Sequence, residues 1–197
     1  VIAGDGGMDL IRGGGGDDRL LGGLDADTVW GGDGNDEIYG GDGIDVLRRN
    51  KGNDMIFGQD GSDAVHGGDG DDDLYGGNGL DDLRGGAGAD RLVGGVGRDT
   101  LNGGRDDDVL TGNSRADTFV FNRNAGDDVI TDFQNNSDQI DLTAFGFNPG
   151  GYATVAAALS NAGGGATFLD LDAIGGSGSV LIEGLSFGAA YASDFIL

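Results

Sequence analysis

From Ile11 to Phe119 an apolar residue returns at every ninth position: Ile11, Leu20, Val29, Ile38, Leu47, Ile56, Val65, Leu74, Leu83, Leu92, Leu101, Leu110 and Phe119. Two residues before each of them stands an aspartate, from Asp9 to Asp117 without a miss. Cut from Gly4, residues 4–120 divide into thirteen blocks of nine with no insertion or deletion. Positions seven to nine of a block read as a short strand, so position eight points inward and its neighbours point outward. Positions one to six read as a turn, and glycine at positions one, two and four allows positive φ there. The pattern predicts an all-β fold, a parallel β-roll in which two blocks, 18 residues, make one turn. Loops of alternate blocks would then stack about 4.8 Å apart.

After Val120 the period stops. The stretches Asp128–Phe133, Asp138–Phe145, Ala166–Asp172 and Ser179–Phe187 read as strands, and Tyr152 to about Asn161 reads as one short helix stopped by glycines. The chain therefore divides into a β-roll, 1–120, and a C-terminal β-rich cap, 121–197. A solenoid needs such an end piece to cover its last apolar rung. Phe119, Phe121, Phe133, Leu142, Phe145 and Phe147 are the candidates to do so.

Charge sharpens the picture. The 197 residues carry a net charge of −24, and only Glu37 and Glu183 of the acidic residues are glutamates. Residues 1–120 hold 26 acidic and 10 basic side chains, a net of −16. Low hydrophobicity with high net charge opposes folding, and one buried apolar side chain per block is a small return for ordering nine residues. A counterion is needed. Ca²⁺ suits the pattern because it takes six to eight oxygens in irregular geometry, from short carboxylates and from carbonyls that a glycine turn can aim. The candidate ligands are the aspartates at position six, Asp9, Asp18, Asp27, Asp36, Asp45, Asp54, Asp63, Asp72, Asp81, Asp90, Asp99 and Asp108. With them come loop residues at positions one and three: Gly13, Gly15, Gly31, Asp33, Gly40, Asp42, Gly58, Asp60, Gly67, Asp69, Gly76, Asn78, Gly85 and Gly94. Thirteen loops in two stacks leave six and five gaps, at most eleven inter-loop sites. Fewer ions than that are expected. Arg49-Asn50-Lys51 replaces the first three loop residues of its block, Asp25 and Asp106 stand in glycine positions, and Asn113-Ser114-Arg115 departs again. In the segment after the array, Asp127, Asp128, Asp132 and Asp138 are equally readable as a further ion site or as turn polarity.

Several function classes fall away. There is no basic face for nucleic acid, no apolar run long enough to span a membrane, and no cysteine for disulfides or thiolate metal sites. His66, the only histidine, has no second histidine to share a zinc ion. No HExxH, nucleophile elbow or phosphate-binding loop occurs, so no catalytic residue is expected. The outward positions nine form two ladders. One reads Leu21, Tyr39, Phe57, Tyr75, Val93, Thr111; the other contains Arg12, Trp30, Arg48, His66 and Arg84. Cross-strand stacking explains both, and the second is also a candidate face for an acidic polysaccharide.

Each block matches G-G-x-G-x-D-x-U-x, and in this the array resembles the calcium-binding nonapeptide repeats of RTX exoproteins. The resemblance implies a right-handed roll binding several Ca²⁺. The segment after the repeats resembles that of serralysin-type metalloproteases, and the array resembles the R-modules of alginate epimerases, a precedent for glycan binding. Asp194-Phe195-Ile196-Leu197, an acidic residue followed by three apolar ones, resembles the terminal motif of type I secretion substrates. The family then implies export through an ATP-binding-cassette channel, with folding on extracellular calcium, and a non-catalytic role. Val1 falls inside a repeat, so the expectation is a module of a larger secreted protein.

Overall fold

The computed structural model describes residues 1–135, 137–147, 151–185 and 192–197. It is a parallel β-solenoid of two sheets. Strands alternate between them: Ile2–Gly6, Arg19–Leu24, Glu37–Asp42, Met55–Asp60, Asp73–Gly79, Arg91–Gly97 and Val109–Ser114 form one sheet. Leu10–Gly15, Thr28–Asp33, Val46–Arg48, Ala64–Asp69, Asp82–Ala87, Thr100–Arg105 and Thr118–Val120 form the other. Every pairing within these sets is parallel, and partners such as Leu20↔Ile38 and Leu83↔Leu101 are 18 residues apart. The position-eight side chains meet between the sheets as a single apolar column. All are completely buried from Leu20 to Phe119, with Ile11 slightly exposed at the open end.

The column continues past Val120 without a break. Asn124–Ile130 and then Ser177–Glu183 extend the first sheet in parallel, while Gln139–Asp141 and Phe195–Ile196 extend the second. Ala166–Asp170 and Leu159–Gly163 close the first sheet with two antiparallel pairings. Five of the six expected cap residues are buried in this core, with Phe133 against Phe119, and the partly buried Phe147 packs on it, stacked on Phe145. Arg123 ties the cap together by donating to the carbonyls of Ala144, Phe145 and Gly175 at 3.2, 2.6 and 3.0 Å.

Local expectations need adjusting. The helix is Gly151–Ala158, not a helix reaching Asn161: Leu159–Gly163 is a strand, paired Leu159↔Leu169 and Asn161↔Thr167 around a turn at Gly164-Gly165. Those glycines act as a hairpin, and cross-strand pairing in the cap outweighs the helical preference of the preceding alanines. The strand expected over Asp138–Phe145 stops at Asp141 and gives way to a 3₁₀ turn, Thr143–Phe145. The strand expected over Asp128–Phe133 begins earlier and ends sooner, at Asn124–Ile130. Ala166–Asp170 and Ser177–Glu183 stand where the other two strands were expected, and residues 186–187 lie outside the described residues.

Candidate metal sites between stacked loops

The position-six aspartates form a hydrogen-bonded ladder. The backbone N–H of each donates to Oδ1 of the aspartate 18 residues on, from Asp9→Asp27 to Asp99→Asp117, at 2.7–3.0 Å. One carboxylate oxygen is thereby used. The other, Oδ2, is buried and has no hydrogen-bond partner among the described residues in Asp9 and in every aspartate of the series from Asp27 to Asp117. An unpaired buried acceptor in a folded chain marks a place for a ligand.

The glycine at position one shows where that ligand would go. A β-carbon there would fall within 3.0 Å of Oδ2 of its own block's aspartate and of the position-one carbonyl two blocks on. This holds at Gly4, Gly13, Gly22, Gly40, Gly58, Gly67, Gly76, Gly85 and Gly94, nine cradles of the eleven gaps. The reason for glycine is therefore space, not backbone freedom. Positive φ is required at positions two and four, where Gly32 takes 112° and Gly34 takes 131°. The sequence-based assignment of positive φ to position one is corrected accordingly. Non-glycines at two or four adopt the same region, as with Gln59 at 79° and Asp25 and Asp106 at 73°, except Asn50, at position two after Arg49, which does not.

Among the described residues no three Asp, Glu, His or Cys side chains converge as a metal cluster. A rung offers one or two carboxylates, and at the cradles a loop carbonyl lies beside them. That is hard-oxygen chemistry, suited to Ca²⁺. Burial pushes the carboxyls up, Asp81 to about 6, Asp63, Asp72 and Asp117 to about 7, and Asp90 and Asp108 to about 8. Each would gain from a cation at Oδ2, so the residues present fit the ion.

The ladder extends beyond the repeats. Asp108 donates to Asp128 Oδ1 at 2.9 Å and Asp117 to Asp138 Oδ1 at 3.0 Å. Asp128 and Asp138 thus occupy position-six places, and the signal was in the sequence: Asp128-Val129-Ile130 and Asp138-Gln139-Ile140 keep the D-x-apolar spacing after insertions of two and three residues. Asp132 instead accepts from Gly112 and Asn113, and Asp127 from Ser179, at 2.7–2.9 Å.

Two expected ligands are differently engaged. At Gly31 the place of a β-carbon is flanked by Asp36 Oδ2 and by Cδ and Nε of Arg49. Arg49 Nη1 lies 2.9 Å from Asp36 Oδ2 and 2.5 Å from Asp54 Oδ1, with all three side chains fully buried.

On the outside, Tyr39, Phe57 and Tyr75 stack at 4.9 Å between centroids, with Arg19 and Arg91 over the end rings. The other sheet brings Trp30, Arg48, His66 and Arg84 to one groove of about 770 Å³, bordered by Asn50 and loop glycines. Arg12 packs over Trp30 at 4.2 Å. Burial first, then Arg84 and Arg48, lower the His66 pKa. Arg84 is also held by Asp82 at 2.8 Å. The last four residues are not a free tail. Asp194 is buried in the 3₁₀ turn Ala192–Asp194, and Phe195–Ile196 is a strand paired with Ile140 and Asp141.

Comparison with known proteins agrees with this geometry. The family model of the RTX calcium-binding nonapeptide repeat matches four times, over residues 1–29, 12–47, 50–83 and 84–119. Among solved structures, the chain is similar to the AlgE6R3 subunit of the Azotobacter vinelandii mannuronan C5-epimerase, at 37% identity and a TM-score of 0.53, covering 65% of this chain and 78% of that one. The AlgE6R2 subunit of the same enzyme gives 34% identity and 0.52 over 68% and 91%. The extracellular lipase LipA from Serratia marcescens shares the fold at 19% identity and 0.50; the match covers 98% of this chain and 40% of the lipase. No curated protein matches the sequence. Ladder, cradles and family model agree: the chain belongs to the RTX calcium-binding nonapeptide-repeat family.

Proposed function

We propose that this chain is a calcium-triggered folding module that supports type I secretion of a larger exoprotein and stabilises it outside the cell. The single observation that carries the reading is the run of buried aspartate oxygens without hydrogen-bond partners, most of them beside a loop carbonyl in a glycine cradle. The position-six aspartates from Asp9 to Asp108, apart from Asp36 and Asp54 beside Arg49, and the position-one carbonyls would hold the ions; the ion supplies the positive charge that lets these carboxylates lie in one stack. The chain itself aligns them through the Oδ1 ladder and excludes water with the apolar column. Calcium is scarce in the cytosol and falls in the ~10⁻⁴–10⁻³ M range of extracellular modules outside, so the chain passes an export channel unfolded and folds on exit. Asp194 to Leu197 fit this order of events: in the folded state Asp194 and Phe195 are buried and Phe195–Ile196 is docked as a strand, so the motif as a whole is free for a transporter before folding. The test is circular dichroism and small-angle scattering in chelator and then in calcium, with export assayed for a chain lacking residues 194–197. A roll that persists after exhaustive chelation, or undiminished export, would refute the corresponding half.

A second reading is favoured by the groove. Trp30, Arg48, His66 and Arg84 lie on one face at strand spacing, and the similar epimerase subunits belong to an enzyme named for mannuronan, an acidic polysaccharide. Retention on an immobilised acidic polysaccharide, compared with a Trp30→Ala/Arg48→Ala/Arg84→Ala variant, tests it; equal retention removes it.

A further inference from the structure

The Gly31 gap departs from its neighbours in two independent ways. First, it contains a charge of the protein's own. Arg49 stands at position one of its block, where glycine is the rule, and its side chain runs back between loops 31–36 and 49–54. Nη1 sits between Asp36 Oδ2 and Asp54 Oδ1, at 2.9 and 2.5 Å, fully buried. Secondly, the gap has lost a carbonyl. By periodicity the Arg49 carbonyl would complete the Gly31 cradle, as Gly22, Gly40 and Gly58 do for theirs. It lies 3.2 Å from where a β-carbon of Gly68, in the following rung, would be. The carboxylates are kept, an oxygen ligand is withdrawn, and a guanidinium fills the space. No nitrogen of the guanidinium makes a directional hydrogen bond among the described residues. Its contribution is that of a fixed positive charge between two buried negative ones, which is the part a metal ion plays in the other gaps.

We propose that Arg49 is a built-in replacement for a calcium ion: it occupies the slot formed by Gly31, Asp36 and Asp54, excludes calcium from it, and makes that rung independent of metal. In the gap on its other side, between the loops of Arg49 and Gly67, Arg49 stands where the lower loop of the other gaps has its cradle glycine. At Lys51 the backbone keeps the stack in register, as isolated parallel bridges to Asp33 and Asp69. The rung offers a metal-free starting point from which calcium-dependent rungs assemble in both directions, since in a solenoid each repeat needs only an ordered neighbour.

The inference rests on the calcium reading, and the test separates the two. Bound calcium is counted by equilibrium dialysis for the parent and for Arg49→Gly and Arg49→Gln. Arg49→Gly is expected to bind at least one more ion per chain. Arg49→Gln, similar in reach without the charge, is expected to bind no extra ion and, in chelator, to lose the amide-exchange protection of 31–54 that the parent retains. An unchanged count in Arg49→Gly, or no residual protection in the parent, would overturn the proposal while leaving the calcium reading intact. No calcium on the parent at saturation would sink both. Should Arg49→Gly fail to fold, anomalous diffraction from parent crystals grown in calcium decides: a guanidinium in the slot supports the proposal, and an ion there with Arg49 turned to solvent overturns it.

Discussion

The N–H of Asp108 donates to Oδ1 of Asp128 at 2.9 Å across 20 residues, where each such bond within the repeats spans 18. The cap therefore joins the ladder rather than only covering it. Asp128→Ala would leave the buried Asp108 N–H without an acceptor, a loss of roughly 1–3 kcal/mol. In saturating calcium its calorimetric melting temperature should fall, and Asp128→Asn, which keeps an acceptor oxygen, should fall less. Equal melting of Asp128→Ala and the parent would show that the cap is not coupled through this bond.

Gly67 has ordinary negative-side backbone geometry, so alanine there costs little locally. Its methyl group would instead enter the cradle beside Asp72 Oδ2 and the Gly85 carbonyl. Gly67→Ala is expected to bind one calcium fewer and to need more calcium to fold, as read by isothermal titration and circular dichroism. An unaltered ion count would mean that the cradle is not the binding place.

Acidity should substitute in part for calcium. Burial lifts Asp63, Asp72, Asp117 and Asp128 to about 7 and Asp90 and Asp108 to about 8, from an ordinary 3.8. Between those values the ordered, metal-free roll binds more protons than the unfolded chain, so its stability is present at low pH and is lost as pH rises through the raised values. In chelator, the β-sheet signal should be larger near about pH 5 than near about pH 8, and calcium binding at about pH 7 should release protons. A chelated chain equally ordered at both pH values would contradict this.

Phe57 lies between Tyr39 and Tyr75 at 4.9 Å from each. Phe57→Ala removes both stacked pairs, about 1–3 kcal/mol together at 0.5–1.5 each. Chemical denaturation in calcium should show that loss with no change in bound ions, because the ladder is on the outer face. A changed ion count would tie the outer ladder to the loops.

Arg123 makes three carbonyl contacts across the cap. Bonds from a charged donor contribute about 1.5–3 kcal/mol each when fully formed, so Arg123→Ala should expose the cap core. Faster amide exchange confined to 143–147 and 174–178 is the expected result; uniform exchange across the roll would assign Arg123 a wider role.

The period of nine, the inward column from Ile11 to Phe119 and the stacking of the aspartates were all readable along the chain. They repeat thirteen times, and each depends on neighbours within a single block. Asp128 and Asp138 kept the same local spacing but lost the period, so their place in the ladder emerged only when the insertions were folded out of the way. The helix end at Ala158 was settled by Leu159 finding Leu169 across a hairpin. The reason for glycine at position one, and the entry of Arg49 between Asp36 and Asp54, belong wholly to the tertiary structure. Both arise from residues of successive rungs brought within van der Waals reach by stacking. A linear reading sees a residue's propensity and its charge; only the stacked rungs show how much room the next loop leaves and which side chain fills it.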